Sequence, residues 1–380
     1  FLGLTGNWGT SIAGRLVAPR HGFLASIDPF GAGTVGQYRN VYSDVGFHGD
    51  LIDAANNAGI GLGVLTLADV DRVDNAIAYV SPSFGGFNIT AAYATQAIGQ
   101  EGGGIGYGGT IDNDGDAKVI ALLPRYTNGP LDVGLSYQRI KVDEATPALN
   151  PLGPVVIDSD AKITQWTIGG AYDFKVVKLG AYYDRYKGKL SADLNANAAG
   201  NLGLGAAPYR YDVTETLKTW LIGATIPFGK QAIQVSYSQS KFDPDAPGVS
   251  AGKAKQWAVG YTYALSKRTN FYAAYSDINN DNEKDNKPNK VSRGASVGDA
   301  SNGGGGYQRG IQFGLKHTFY SLRELNPLRT EAATPPFLLA ETLQGFRSNT
   351  ILEGFLSPQE WLRSKPRPSG RGFKPESVPG

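Results

Sequence analysis

Gly6–Val17 (GNWGTSIAGRLV) and Arg72–Pro82 (RVDNAIAYVSP) decide the fold. In the first, a Gly-Asn-Trp-Gly turn leads into Thr10–Val17, which alternates as a short strand. In the second, Arg72–Val80 alternates again and stops at Ser81-Pro82. Residues 18–71 lie between them, roughly fifty where a compact domain uses a handful, and a connection of that length is usually functional. Its centre, Asp28-Pro29-Phe30-Gly31, joins an acid to a rigid turn, while Arg15 and Arg72 stand on the flanking strands. If these strands belong to a closed barrel and the insertion folds inward, its acids face arginines on the wall across a narrow gap. That gap would be the constriction of a pore.

Working outward, the same unit recurs: short turn, strand, long polar loop, strand. Phe87, Ile89, Ala91 and Tyr93 share one face of a strand, with Asn88, Thr90, Ala92 and Ala94 on the other. Leu131, Val133, Leu135 and Tyr137 alternate with Asp132, Gly134, Ser136 and Gln138. Val177, Leu179, Ala181 and Tyr183 are set against Lys178, Gly180, Tyr182 and Asp184 on a strand expected over 176–187. Val235 and Tyr237 alternate with Gln234, Ser236 and Ser238, and Trp257 and Val259 with Gln256 and Ala258. The last strand carries Ile311, Phe313, Leu315 and Phe319 on one face. About twelve strands of roughly ten residues result, the length a tilted strand needs to cross a bilayer.

Composition agrees. The chain has 51 Gly, 20 Tyr and 16 Phe among 380 residues, and only 41% are hydrophobic. There is no apolar run of the length a membrane helix needs, but a barrel wall shows lipid only every second residue and can be this polar. Turns at one end are short and loops at the other long, and Tyr93, Tyr126, Tyr137, Trp166 and Trp257 are expected at strand ends, at the lipid–water boundary. The opposite faces are rich in Ser, Thr, Gln, Asn and Gly, which suits a wet interior better than a sandwich core. The fold class is therefore all-β, a transmembrane antiparallel β-barrel with one long loop folded into its lumen.

The formal net charge of +2 gives no bias toward nucleic acid. The absence of Cys removes disulfides, thiolate metal sites and Cys nucleophiles. With no Met and no leader-like start, the chain is expected to begin inside a sheet.

Several motifs, in order, resemble the trimeric general diffusion porins of Gram-negative bacteria. They are Gly6-Asn7-Trp8-Gly9-Thr10 to Gly14-Arg15, Ile27-Asp28-Pro29-Phe30-Gly31, Arg72-Val73-Asp74-Asn75 to Tyr79 with Ser81-Pro82, Leu265-Ser266-Lys267-Arg268-Thr269, and Gly314-Leu315-Lys316-His317-Thr318-Phe319. The resemblance covers residues 1–319. It implies sixteen strands in the family, so that about the first four are absent here. It also implies a homotrimer in the outer membrane, contacting lipid and lipopolysaccharide, that passes ions and small hydrophilic solutes. By motif match Arg15 is the wall arginine and Asp28 the acid of the loop; Arg72 and Arg125 follow from strand parity. Lys178 and Asp184 face the lumen by the same parity. Residues 18–71 form the constriction loop, and 320–380, where the family would already have ended on an aromatic residue, form a non-barrel extension of short helices followed by disorder.

The expected function is a passive channel whose selectivity comes from a transverse field between wall arginines and loop acids. A barrel acting as a surface adhesin or structural anchor is the alternative, and planar-bilayer conductance separates the two. An embedded hydrolase would need a placed His beside a nucleophile. His21 and His48 lie in the inserted loop without such a companion, and His317 falls on an apolar face. No catalytic residue, cofactor or metal is expected. Asp112-Asn113-Asp114-Gly115-Asp116 lacks the Glu that would complete an EF-hand. Gly102-Gly103-Gly104-Ile105-Gly106 has no following helix to make a phosphate loop.

Overall fold

The computed structural model describes residues 1–31, 33–42, 72–95, 116–143, 149–150, 153–154, 156–194, 209–245, 251–280 and 309–318. Its strands are β1 (Leu2–Gly6), β2 (Gly9–Val17), β3 (Arg72–Val80), β4 (Phe87–Ala94), β5 (Asp116–Asn128), β6 (Leu131–Asp143), β7 (Leu149–Asn150), β8 (Gly153–Pro154), β9 (Val156–Asp173), β10 (Lys178–Leu194), β11 (Tyr209–Phe228), β12 (Gln231–Asp245), β13 (Gly252–Ala264), β14 (Thr269–Asn280) and β15 (Arg309–His317). Thirteen of them, all but the two-residue pair β7–β8, form one antiparallel sheet in which every neighbour in space is the next of these strands in sequence. That is an up-and-down meander, the connectivity of a barrel wall. Among the described residues β1 and β15 each have a single neighbour, so the sheet has two edges.

The short turns work through local chemistry. Gly85, Gly129 and Gly229 hold positive φ at three of them, where a side chain would be strained. In the turn after β9 the non-glycine Lys175 takes φ 69, and Asp173 Oδ1 accepts its amide at 2.7 Å, an Asx-type stabilisation.

Period-two alternation then sorts the two faces. Val235, Tyr237, Trp257 and Val259 are exposed, whereas Ser236, Ser238, Gln256 and Ala258 are buried. Outward aromatics form a belt across β6 and β9–β14. Tyr137 opposes Trp166, Tyr183 opposes Trp220, and Tyr237 opposes Trp257. Ring contacts of 5.4 Å between Trp166 and Tyr183, 5.4 Å between Trp220 and Tyr237, and 5.2 Å between Trp257 and Tyr275 join these pairs. A second aromatic level lies at the short turns, with Tyr172 and Phe174 at 4.4 Å and Phe228 exposed on β11. From Trp220 to Phe228 the strand covers about 26 Å at its ordinary rise. The exposed residues between, Ile222 and Ile226 among them, are aliphatic, so this is the lipid band, which at the usual strand tilt of about 35–45° stands about 20 Å high.

Two expectations need correction. The strands are longer than ten residues: β9, β10 and β11 have 18, 17 and 20. Their ladders continue past the belt with outward polar pairs such as Lys187–Thr216 and Lys189–Thr214, which leaves Trp166 and Trp220 within strands rather than at their ends. The inner face is also less polar than expected, since Ile140, Ile163, Leu217, Leu221 and Phe242 are buried on it. It is not uniformly wet; part of it packs against the chain's own inserted segment.

Candidate functional site

After β2 the chain forms a helix, α1 (Pro19–Ile27), which sequence alternation did not assign. Pro19 opens it, as proline can at a first turn. Pro29 helps to end it, because a residue preceding proline avoids helical torsions, and Asp28 is extended at φ −67, ψ 125. A 3₁₀ turn follows at Tyr38–Val41.

This segment lies against the inner face of β5, β6 and β9–β15. Arg125 Nη2 donates to Ser26 Oγ at 3.2 Å and Lys178 Nζ to the Ser26 carbonyl at 3.3 Å. Gln234 Nε2 donates to the Pro29 carbonyl at 3.0 Å. Gln256 Nε2 donates to the carbonyls of Gly36 and Gln37 and its Oε1 accepts from Asn40. Ser276 Oγ donates to Val35 O at 2.7 Å, and Val35 N donates to Gln312 Oε1 at 3.0 Å. One segment of about two turns of helix and a loop can reach strands so far apart only if the sheet curls around it.

Close approach is made possible by glycine. Gly134, Gly169, Gly180, Gly223 and Gly260 sit on inward positions of β6, β9, β10, β11 and β13. A β-carbon there would collide with, or press on, Phe23, Ile27, Ile27, Pro29 and Phe30 respectively. Phe30 also packs with Val35, Ala258 and Ala274.

The segment's deepest anchor is an ion pair. Arg20 Nε donates to Asp184 Oδ2 at 3.0 Å, and the side chains are 1% and 0% exposed. Thr167 and Gln165 also donate to Asp184, Gln138 donates to Gln165 at 2.6 Å, and the Arg20 guanidinium lies 4.7 Å from the Tyr42 ring centre. The carboxylate is thus held by three side chains, which offsets much of the cost of burying it.

Residues 1–283 match the family described as Gram-negative porin. The chain belongs to that family. An outer membrane porin protein of Bordetella pertussis is 31% identical over 274 residues, 70% of this chain and 62% of the relative. This porin therefore spans less than two thirds of that relative's length. Outer membrane porin protein 32 of Delftia acidovorans is 27% identical, over 83% of this chain and 72% of its own. The solved anion-selective porin from Comamonas acidovorans superposes with a TM-score of 0.51 at 25% identity, covering 83% of this chain and 76% of that one. The fold is an outer-membrane β-barrel, as its alternation implies.

Within this porin the sequence-derived site residues divide. Arg125, assigned by parity alone, meets the inserted segment: besides Ser26 it engages Asp132 through Nε at 2.6 Å and through Nη2, and it lies 5.6 Å from the Phe23 ring centre. Lys178 and Asp184 lie on the same inner face. Arg15 and Asp28, expected to face each other, are engaged elsewhere. Arg15, largely exposed, pairs with Asp74 at 3.2 Å. A bulge interrupts the β2–β3 register beside it, between Gly14 and Leu16, with Gly14 at φ 125 and Asn75 at φ 49.

Asp28 is buried and turned back on its own loop, accepting the amides of Phe30 at 3.1 Å and Tyr38 at 2.7 Å. Burial pushes its carboxyl up to about 7, although those two hydrogen bonds pull the other way. Arg72 is exposed at the start of β3. His21 Nδ1 shares a hydrogen bond with Tyr38 Oη at 2.6 Å, and His317 meets Thr269 at 2.8 Å. His48, Phe319, residues 102–106 and 112–115, and the tail 320–380 lie outside the described residues.

Proposed function

We propose that this porin is a passive channel for ions and small hydrophilic solutes, working as a homotrimer among outer-membrane lipid and lipopolysaccharide. The observation that carries the proposal is the inserted segment from Pro19 to Tyr42, held against the inner face from β5 to β15 by side-chain hydrogen bonds. A segment tethered across a barrel narrows its lumen and fixes the charges beside the narrowing, which sets which solutes pass.

The wall charges that suit this role are Arg125 and Lys178, both at Ser26, rather than Arg15 with Asp28. The buried Asp184 is neutralised by Arg20, while Asp132 is held by Arg125 and Asp173 Oδ1 by the Lys175 amide. Asp132 and Asp173 balance Arg125 and Lys178 in formal charge, but both wall groups that donate to Ser26 are cations, so we propose that the field at Ser26 favours anions. The Comamonas porin of similar fold is described as anion-selective, which supports this choice.

Planar-bilayer recording tests the proposal. Stepwise conductance, with a reversal potential of anionic sign in a KCl gradient, is expected. Correctly folded protein that inserts but passes no current would favour the anchor or adhesin alternative.

A further inference from the structure

Just beyond the upper aromatic belt, on the side of the long connections, the outward faces of β10–β13 carry four cations on one rung. Arg185 is in register with Lys218, Lys218 with Lys241, and Lys241 with Lys253. All four are exposed, and no ion pair engages them among the described residues. Like charges directly opposite one another weaken a sheet, and this rung runs about 14 Å across four strands. Elsewhere on the same face Lys187 opposes Thr216 and Thr164, and Asp277 opposes Arg309, whereas Lys189, opposite Thr214 on one side, meets Lys162 on the other, which continues through Lys141 to Lys118 as a second row across β10, β9, β6 and β5. Asp243, the next outward position beyond Lys241, opposes Thr216 and lies on the far side of the rung from the belt.

The height of the rung says what could neutralise it. Tyr183 and Trp220 lie two residues from Arg185 and Lys218 toward the lipid band, and Tyr237 and Trp257 lie four from Lys241 and Lys253. At the strand rise this is about 7 to 13 Å. Belt aromatics mark the membrane boundary, so the rung sits at headgroup level. Long connections face outward in outer-membrane barrels, and the outer leaflet there is built of lipopolysaccharide, whose disaccharide is phosphorylated at both ends.

We infer that the rung Arg185–Lys218–Lys241–Lys253 is a binding site for the phosphate groups of lipopolysaccharide. A linear row of cations suits two separated phosphates on one headgroup better than a single small anion. The inference rests on the lipid partnership proposed above and not on conduction.

The test uses the 380-residue chain in phosphatidylcholine nanodiscs, titrated with bisphosphorylated lipid A or with lipid A stripped of phosphate, with bound lipid counted by native mass spectrometry. The phosphorylated lipid should bind more tightly, and less so as salt rises. Each cation near an anionic lipid surface contributes about fivefold in affinity, so replacing all four by Gln should weaken binding by more than about tenfold. Lys175→Gln with Lys230→Gln and Lys267→Gln, at the short-turn end, should leave it unchanged.

Equal binding of the two lipids by the unaltered chain overturns the inference and requires no variant to fold. Equal affinity of the folded quadruple variant does the same. Conductance keeps the two proposals apart: a quadruple variant that loses lipid A but still conducts supports this site, while an unaltered chain that binds lipid A without conducting counts only against the channel.

Discussion

A β-carbon built on Gly223 would lie 2.6 Å from Cγ of Pro29, so the wall of β11 meets the turn of the inserted segment with no side chain between them. Gly260 against Phe30, at 2.7 Å, and Gly134 against Phe23, at 3.0 Å, continue the same trough. Gly223→Val should therefore overpack the contact, costing about 1–3 kcal/mol, and lift the segment off the wall. Ala224→Val, one residue away on the outward face, should be nearly neutral. Denaturant unfolding and limited proteolysis within residues 19–42 distinguish them; a Gly223 variant as stable and resistant as the parent would mean that the fit is slack.

Asp184 holds the helix through a pair that water hardly reaches. Removing one member leaves a buried charge behind, so Arg20→Ala or Asp184→Leu should each cost about 3–5 kcal/mol. Replacing both, as Arg20→Met with Asp184→Leu, should cost far less than the sum, although Gln165 and Thr167 would still lose their acceptor. A double-mutant cycle on unfolding measures this coupling. Additive losses would show that the two charges are stabilised independently.

The wall was legible in the sequence because exposure to lipid imposes a strict period of two. Val235, Tyr237 and Trp257 point outward and Ser236 and Gln256 inward, as alternation requires. The inserted segment was visible only as excess length, since α1 is short and is ordered by contacts across more than a hundred residues, such as Arg20 with Asp184. A signal for its path was nonetheless present: glycines recur at inward positions of β6, β9, β10, β11 and β13, where a wet wall has no need of them. For Arg15 and Asp28, motif order says which residues lie near a loop but not which way a carboxylate turns. Asp28 finds amides two and ten residues ahead before it finds any arginine.

Asp28 should make the segment's packing depend on pH. Its carboxyl is raised from 3.8 to about 7 by burial, so the folded state holds the proton more tightly than the unfolded one. The stability it supports is full below about pH 4, declines as pH rises toward 7, and is flat above that, a change on the order of 4 kcal/mol as an upper bound. Asp28→Asn should remove this slope, and lose about 1 kcal/mol at low pH because its amide nitrogen cannot replace one of the two acceptors. Thermal unfolding between pH 4 and 8 checks it. An unchanged slope in the variant would assign the dependence to another group.

Lys178 and Arg125 are expected to set ion preference through charge rather than shape. Lys178→Gln removes one positive charge beside Ser26, and Arg125→Gln also releases Asp132 from its bidentate partner. The reversal potential in a KCl gradient should thus move toward cations in both variants. Arg15→Gln should move it less, because Arg15 is largely exposed beside Asp74 and is not one of the wall groups that donate to Ser26. The shifts should shrink in concentrated salt, where the screening length falls from about 10 Å at 0.1 M to about 3 Å at 1 M. If Arg15→Gln gave the larger shift, the narrowest point would lie at the β2–β3 bulge and not at Ser26.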